Sequence, residues 1–162
     1  YLDMQYMLGN KLLVAPIFRE NQQALYYLPE GTWTHLLSNE RKNGGRWYQE
    51  TYDFHSLPLY VRPNSILPIG GRIDRPDYSY LEGLSLHFYQ IENEKSACCR
   101  ITDTDGKSVF FVQAVYHAGC LKITMSELLK DLRLIIHGIA GPKEQICLVP
   151  EEKEVTVRCT FL

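Results

Sequence analysis

The sequence lacks an excess of charge of either sign. Its 17 Lys and Arg residues oppose 19 Asp and Glu residues, which gives a formal net charge of −2. Because binding to nucleic acid or to an anionic membrane surface depends on surplus positive charge, this balance argues against both kinds of partner. The apolar runs also fall well short of the roughly 20 residues that a membrane-spanning helix needs. With 45% hydrophobic residues, the composition is typical of a soluble globular chain.

Signals for bound metal and for disulfides are equally sparse. The cysteines form no C-x₂₋₄-C pair, and the adjacent Cys98 and Cys99 should point to opposite faces of a strand, so we expect no structural metal. An odd number of cysteines leaves at least one thiol unpaired in a monomer, and neither a secretory signal nor an Asn-x-Ser/Thr acceptor is present. We therefore expect reduced thiols and a cytoplasmic location. The five cysteines are Cys98, Cys99, Cys120, Cys147 and Cys159.

Short aromatic and β-branched runs, separated by Gly, Pro and Asp turns, fill most of the chain, and no helical period is sustained. In the second half, Leu84, Leu86 and Phe88 alternate with Ser85 and His87, which indicates a half-buried strand. Regular spacing of such runs predicts an all-β fold of two small β-sandwich modules. The predicted parts are a leading segment at 1–18, a first sandwich at 19–75, a linker at 76–83 and a second sandwich at 84–162.

Two short sequences predict hairpin turns. Pro29-Glu30-Gly31 should join the strands on either side of it, with Gly31 in the left-handed region. Asp103-Thr104-Asp105-Gly106 has the look of a calcium loop, but that alignment puts Ile101 and Val112 at ligand positions, and neither side chain binds calcium. We therefore interpret the Asp-Gly sequence as a hairpin turn.

Proline and glycine also limit where strands can lie. Asn43-Gly44-Gly45 predicts a further turn before the run that begins at Arg46. Pro58, Pro63 and Pro68 lack the N–H that a strand ladder needs, so the strands around them should lie at edges or bends.

The chain opens with a continuous apolar run, Leu12–Phe18, rather than an alternating one. Such a run suits a strand covered on both faces, as in the parallel sheet of a larger body. Since the chain starts at Tyr1 without an initiator Met, we expect the covering partner to lie either later in the chain or in a preceding part of a longer polypeptide. In the second case the run should expose apolar surface and promote self-association.

Two combinations of polar residues partly match the patterns of nucleophilic sites. The stretch Gly83–His87 lacks the final glycine of a nucleophile elbow and has the pattern of a strand, so Ser85 is not expected to act as a nucleophile. On a strand, Asp53 and His55 share one face and Ser56 points to the other, which opposes a triad. We assign no catalytic residue, no metal site and no cofactor site.

Aromatic residues are the remaining candidates for a binding surface. Trp33 and Trp47 are the candidate substrate-binding residues, since an exposed indole can stack on a sugar ring. The alternative, which is commoner in β-sandwiches, is that these rings fill the core or join two sheets. The same choice applies to Tyr26, Tyr27, Tyr48 and Tyr52.

Several long stretches together resemble the region that follows the catalytic barrel in glycoside hydrolase family 31. They are QYMLGNKLLVAPIF (5–18), YYLPEGTWTHLLSNE (26–40) and GGRWYQETYDFHSLPLYVRPNSILPIG (44–70). A further stretch, RPDYSYLEGLSLHFYQI (75–91), is similar to the version found in bacterial α-xylosidases. The resemblance is strong over 1–90 and looser over 91–162.

The resemblance implies a parent enzyme with a (β/α)₈ barrel followed by proximal and distal β-sandwiches. Residues 1–18 would leave the barrel, and the chain would be the C-terminal third or less of the parent. The family retains anomeric configuration with an aspartate nucleophile and an aspartic acid, about 5–5.5 Å apart. No position in 1–162 matches their motifs, so the resemblance implies that this chain alone is inactive.

The expected function is therefore the non-catalytic C-terminal region of an α-xylosidase-like enzyme that hydrolyses terminal α-xylosides. Its partners would be the substrate oligosaccharide and the barrel of the same polypeptide, with Tyr60 and Arg62 as candidate contacts to the barrel. Three alternatives stay open: a carbohydrate-binding module that uses exposed Trp and Tyr, an α-glucosidase as the parent, and a region that serves homo-oligomer assembly only.

Overall fold

The computed structural model describes residues 4–138 and 145–158. Within these two stretches the chain forms fifteen strands and no helix, which confirms the all-β prediction. It follows that none of the described residues belongs to a helix able to cross a membrane. The chain divides into two compact units, Tyr1–Pro63 and Asn64–Leu162.

The first unit contains two antiparallel sheets. Five strands lie in the order β1-β2-β7-β4-β5, and β3 pairs with β6 in the second sheet. Buried side chains from β2, β3, β4 and β7 form one hydrophobic core that both sheets share. The strands are β1 (Tyr6–Leu8), β2 (Leu12–Val14), β3 (Gln23–Leu28), β4 (Thr32–His35), β5 (Arg41–Asn43), β6 (Arg46–Thr51) and β7 (Leu59–Val61).

The turn at Pro29–Gly31 connects the two sheets of this unit. Gly31 has a φ of 116°, as the turn requires. The predicted hairpin is nevertheless wrong, because β3 pairs with β6 whereas β4 pairs with β5 and β7. Gly44 lies against this corner so closely that a Cβ atom would stand 1.6 Å from the carbonyl oxygen of Pro29. Only glycine fits at position 44.

The leading apolar run is covered by its own unit. Strand β2 pairs antiparallel with β1 and β7, and Leu13 and Ala15 are 2% and 0% exposed. Of the two expected arrangements, cover by a later part of the chain is therefore the one observed for this part of the run, whereas the expected parallel pairing is wrong. Phe18 differs, since 74% of it is exposed.

The second unit also contains two sheets. One has the order β10-β11-β12-β15 and is antiparallel, and the other has the order β14-β13-β9-β8. In that sheet β9 and β13 run parallel, and β8 pairs antiparallel with β9 at the edge. The strands are β8 (Ser65–Ile69), β9 (Ser85–Tyr89), β10 (Lys95–Thr102), β11 (Ser108–His117), β12 (Cys120–Met125), β13 (Arg133–His137), β14 (Gln145–Leu148) and β15 (Glu154–Arg158).

The division between the units differs from the sequence-based boundary at 75. Strand β8 pairs with β9, and Ile66 is fully buried in the same cluster as Leu84, Leu86 and Phe88. The structure thus groups β8 with the second unit, because its apolar side chain completes that core. Residues 70–84 between β8 and β9 contain no strand.

Strand alternation and turn chemistry in the second unit follow the sequence. Cys98 is exposed and its neighbour Cys99 is buried, as opposite faces of β10 require. Asp103 Oδ1 accepts hydrogen bonds from the backbone N–H of Asp105 (3.1 Å) and of Lys107 (2.8 Å). With Gly106 at a φ of 79°, this stretch is the turn of the β10–β11 hairpin, as predicted. Cys159 lies outside the described residues.

Candidate functional site

The structure separates the two candidate tryptophans. Trp33 is 1% exposed, belongs to the core of the first unit, and donates its indole N–H to the carbonyl of Pro29 at 2.7 Å. The guanidinium of Arg62 lies 5.8 Å from its ring centroid. A ring enclosed in this way is not available to stack on a sugar in the folded chain.

Trp47 lies on the outer side of the two-stranded sheet and is 45% exposed. Its ring meets that of Tyr27 at 5.5 Å and 57°, and both border a mostly apolar groove of about 400 Å³. The side-chain amide of Gln5 holds this edge in place, accepting from the Tyr27 N–H at 2.6 Å and donating to its carbonyl at 2.9 Å. The groove offers aromatic surface to a flat apolar face such as that of a pyranose.

A partly buried network of polar groups lies in the first unit. Glu50 accepts hydrogen bonds from the hydroxyls of Tyr26 (2.5 Å) and Tyr52 (2.7 Å), and it forms an ion pair with Lys42. The hydroxyls of Tyr26 and Tyr60 lie 3.0 Å apart. This network borders a cleft of about 420 Å³.

Contacts within this network stabilise the charged forms of Glu50 and Lys42. Burial alone would raise the pKa of Glu50, but hydrogen bonds from Lys42, Tyr26 and Tyr52 outweigh it and hold that pKa below its usual value. Burial alone would likewise lower the pKa of Lys42, and Glu50 and Tyr60 reverse the shift. Burial, followed by the bond to Glu50, raises the pKa of Tyr26. The ion pair is thus charged at neutral pH, and its atoms are engaged with one another, as in a structural polar core.

The remaining polar candidates make local backbone contacts. The segment Asp53–Ser56 is a turn instead of the expected strand, and the Asp53 carboxylate accepts from the backbone N–H of His55 at 3.0 Å. Ser85 lies on β9 and donates its hydroxyl to the carbonyl of Ile69 at 3.2 Å. These side chains serve the local fold.

Of the two candidate contacts to a barrel, only Arg62 reaches the surface. Tyr60 is 1% exposed and is part of the core of its own unit, so the expectation that it contacts another domain is wrong. The backbone N–H of Arg62 donates to the carbonyl of Lys11 at 2.8 Å, and its side chain is exposed.

Two histidines form the main titratable cluster of the second unit. His87 Nδ1 and His137 Nε2 lie 3.0 Å apart, and the His137 ring stacks on Tyr89 at 4.2 Å. Burial, and then the neighbouring His87, lowers the pKa of His137 to about 4. Burial and Arg133 lower the pKa of His87 as well. Both imidazoles are therefore neutral at pH 7.

This cluster predicts that the second unit loses stability in mild acid. Below about pH 6.5 His137 is protonated in the unfolded chain, whereas in the folded chain it stays neutral until about pH 4. The free energy of unfolding of the second unit therefore falls between these pH values by up to about 3 kcal/mol. Hydrogen exchange of the β13 amides at pH 7 and at pH 4.5, corrected for intrinsic rates, measures the change. His137→Gln should reduce this loss of stability in acid, whereas substitution of the exposed His55 by Gln should leave the loss unchanged. An equal loss in both variants would contradict the prediction.

No group of three or more His, Cys, Asp or Glu side chains in 4–138 and 145–158 is arranged to hold a metal ion. Cys120 and Cys147 carry free thiols.

Comparison with known proteins gives the two units their context. The profile of the glycosyl hydrolase family 31 C-terminal domain matches residues 1–67, and that of the C-terminal domain of alpha-xylosidase YicI matches residues 79–161. The chain belongs to glycoside hydrolase family 31. The two matches follow each other along the sequence and together leave only a short stretch between them.

Individual relatives agree with this family 31 assignment. Alpha-xylosidase XylQ of Lactiplantibacillus pentosus is 31% identical over 94% of the chain, which corresponds to 20% of that protein. An alpha-xylosidase of Emericella nidulans is 40% identical over 52% of the chain and 12% of its own length. The crystal structure of a family 31 alpha-xylosidase from Xanthomonas citri covers 96% of the chain with 22% identity and a TM-score of 0.68, which shows the shared fold. The chain spans about a fifth of that structure's length.

The polar roles of Glu50 and Lys42 in this family 31 chain were not predicted from the sequence. Tyr48, Glu50 and Tyr52 are spaced two apart, so a strand places them on one face, and this period was a signal for a polar cluster. Lys42 gave no such signal, because its pairing with Glu50 depends on how β5 and β6 meet in space.

Proposed function

We propose that the chain is the non-catalytic C-terminal β-sandwich region of a retaining α-xylosidase-like enzyme, where it supports the catalytic barrel. The observation that carries the proposal is the 31% identity to alpha-xylosidase XylQ across 94% of the chain, together with the YicI C-terminal profile over 79–161. A chain that spans a fifth of such an enzyme leaves the remainder to supply the reacting groups.

The chemistry of the described side chains is in keeping with support. Retaining hydrolysis needs a nucleophilic carboxylate and an acid about 5–5.5 Å apart across the sugar. The carboxylate of Glu50 is engaged with Lys42 and two tyrosine hydroxyls, and that of Asp53 caps a turn. Both therefore stabilise the fold in which they sit. A rigid sandwich of this kind can brace the loops of a barrel.

The substrate and cellular setting belong to the same proposal. The parent enzyme would hydrolyse terminal α-xylosides, in line with the names of the two relatives. A cytoplasmic location is proposed from the odd number of cysteines and from the free thiols of Cys120 and Cys147.

A deletion experiment on the full-length polypeptide tests the supporting role. Removing the region that corresponds to 19–162 should shorten the half-life of α-xylosidase activity at elevated temperature and expose apolar surface on the barrel. Addition of the purified 162-residue chain in trans should restore part of that half-life. A truncated enzyme as long-lived as the intact one would overturn the supporting role.

Two other functions give different results in the same experiment. A module that serves oligomer assembly only would change the sedimentation coefficient of the parent on deletion without changing the half-life of the monomer. A carbohydrate-binding module based on the Trp47 groove would leave the half-life unchanged and would lower the affinity for oligosaccharides.

A further inference from the structure

A second cleft, on the second unit, combines a firm apolar floor with polar groups at its rim. Its volume is about 410 Å³, which suits one or two sugar rings. Tyr80, Leu81 and Val109 form its apolar side and pack against the hydrophobic core of this unit. The floor is therefore held in place before any ligand arrives.

One rim of the cleft is the turn of the β10–β11 hairpin. Asp103 and Thr104 line it, and the backbone N–H groups of Asp105 and Lys107 donate to Asp103 Oδ1. The carboxylate is thereby fixed in orientation, with Oδ2 outside these two bonds. A fixed carboxylate beside a hydroxyl can receive two neighbouring hydroxyl groups of a ligand.

Tyr78, which contacts the floor residue Tyr80, and the acid Asp77 also line the cleft. Tyr78 and Tyr80 meet edge to face at 5.4 Å, and Asp77 lies beside them. The hydroxyl of Tyr78 lies directly against Gly70, where a Cβ atom would stand 1.7 Å from it. Only glycine at position 70 allows this close approach.

We propose that this cleft is a carbohydrate-binding site that takes one or two pyranose units of a xylosylated oligosaccharide. The proposal rests on the proposed function for the choice of sugar. A neutral pyranose has an apolar face of C–H groups for the tyrosine rings and equatorial hydroxyls for Asp103, Asp77 and Thr104. The two carboxylates disfavour an anionic ligand.

The site differs in construction from the groove at Trp47. That groove is mostly apolar, and its Gln5 amide is already engaged with the backbone of Tyr27. The cleft at Tyr80 instead brings carboxylates and a hydroxyl to an aromatic floor, which is the combination that a sugar needs. Its lining also comes from two stretches, 77–81 and 103–109, that are distant along the sequence and meet at the cleft.

Titration of the full 162-residue chain with methyl α-xyloside and with an α-xylosyl-glucose disaccharide tests the proposal. Amide chemical shifts report the location of binding, and calorimetry reports the affinity. We expect a dissociation constant on the order of 1 mM, with shifts confined to 77–81 and 103–109. Asp103→Asn, whose amide oxygen can still hold the turn, should weaken binding by about tenfold.

Two matched controls separate this site from its neighbours. Asp105→Asn changes a carboxylate on the same turn that does not line the cleft, and Trp47→Ala removes the exposed indole of the first unit. Both should bind the disaccharide like the unchanged chain. Tyr80→Ala should abolish binding, with circular dichroism as the check that the core it packs on still folds.

Three results would overturn the proposal. They are the absence of saturable binding well above millimolar sugar, shifts that cluster around Trp47, and equal affinities for Asp103→Asn and Asp105→Asn. None of them bears on the proposed function, because a supporting domain need not bind sugar. Loss of the supporting role in the deletion experiment would likewise leave a measured sugar affinity intact.

Discussion

Trp33→Ala is expected to lower the free energy of unfolding of the first unit by about 3–5 kcal/mol. The indole is 1% exposed, so its removal leaves a cavity in the core. The carbonyl of Pro29, at the corner between the two sheets, also loses the N–H that it accepts. Urea denaturation followed by far-UV circular dichroism measures the loss.

Trp47→Ala is the matched control for this substitution. Its ring is 45% exposed and lies outside the core, so the same change should cost no more than about 1 kcal/mol. If the two variants unfolded at the same urea concentration, Trp33 would not be the core residue that the structure describes.

Glu50→Ala is expected to have the second large effect, a loss of about 3 kcal/mol in the first unit. The substitution leaves the ammonium of Lys42, whose side chain is only 10% exposed, without its counter-ion. The hydroxyls of Tyr26 and Tyr52 lose their acceptor at the same time. Because both tryptophans belong to the first unit, their fluorescence during urea denaturation reports this loss selectively.

Glu94→Ala supplies the comparison for Glu50. Glu94 pairs with His117 on the surface of the second unit, with 62% and 70% of their side chains exposed, so its removal should change the stability of that unit by less than about 0.5 kcal/mol, as followed by far-UV circular dichroism. The pH dependence of stability is a second test of the contribution of Glu50. Because the pKa of Glu50 is lowered in the fold, its contribution is present above about pH 4.5 and is lost as the pH falls through the folded value. The difference in the free energy of unfolding between Glu50→Ala and the unchanged chain should therefore become smaller in acid. A larger difference in acid would contradict the stabilising role of this network.

The sequence predicts the second unit best where the signal is local. Alternation along Leu84–Phe88 places three apolar side chains in the core, and the Asp-Gly sequence at 103–106 forms its hairpin. Pro68 lies on β8, an edge strand, as its missing N–H requires. Period and turn chemistry suffice in these places because the partners are close along the chain.

Pairing between distant segments is where the sequence falls short. Strand β8 belongs to the second unit although it follows β7 of the first unit after only three residues, and β3 pairs with β6 instead of the adjacent β4. The run at Leu12–Val14 looks like a parallel strand, but β1 and β7 cover its edges from either side. Hydrophobicity identifies such strands without specifying which strand lies next to them.

The candidate sites show the same division. From residue type alone, both tryptophans were equally good candidates for substrate binding. Only the fold distinguishes the buried Trp33 from the exposed Trp47. Tyr80 and Asp103 lie more than twenty positions apart, so no sequence pattern joins them, yet they line one cleft. Conversely, Asp53, His55 and Ser56 are adjacent in sequence and form only a turn.

Hydrolysis of p-nitrophenyl α-xyloside by the purified 162-residue chain tests the non-catalytic assignment most directly. The expected outcome is no release of nitrophenol above the uncatalysed background, since both reacting carboxyl groups would belong to the rest of the enzyme. Turnover at a rate typical of glycosidases, abolished by replacing an acidic residue of this chain, would show that the chain carries an active site of its own.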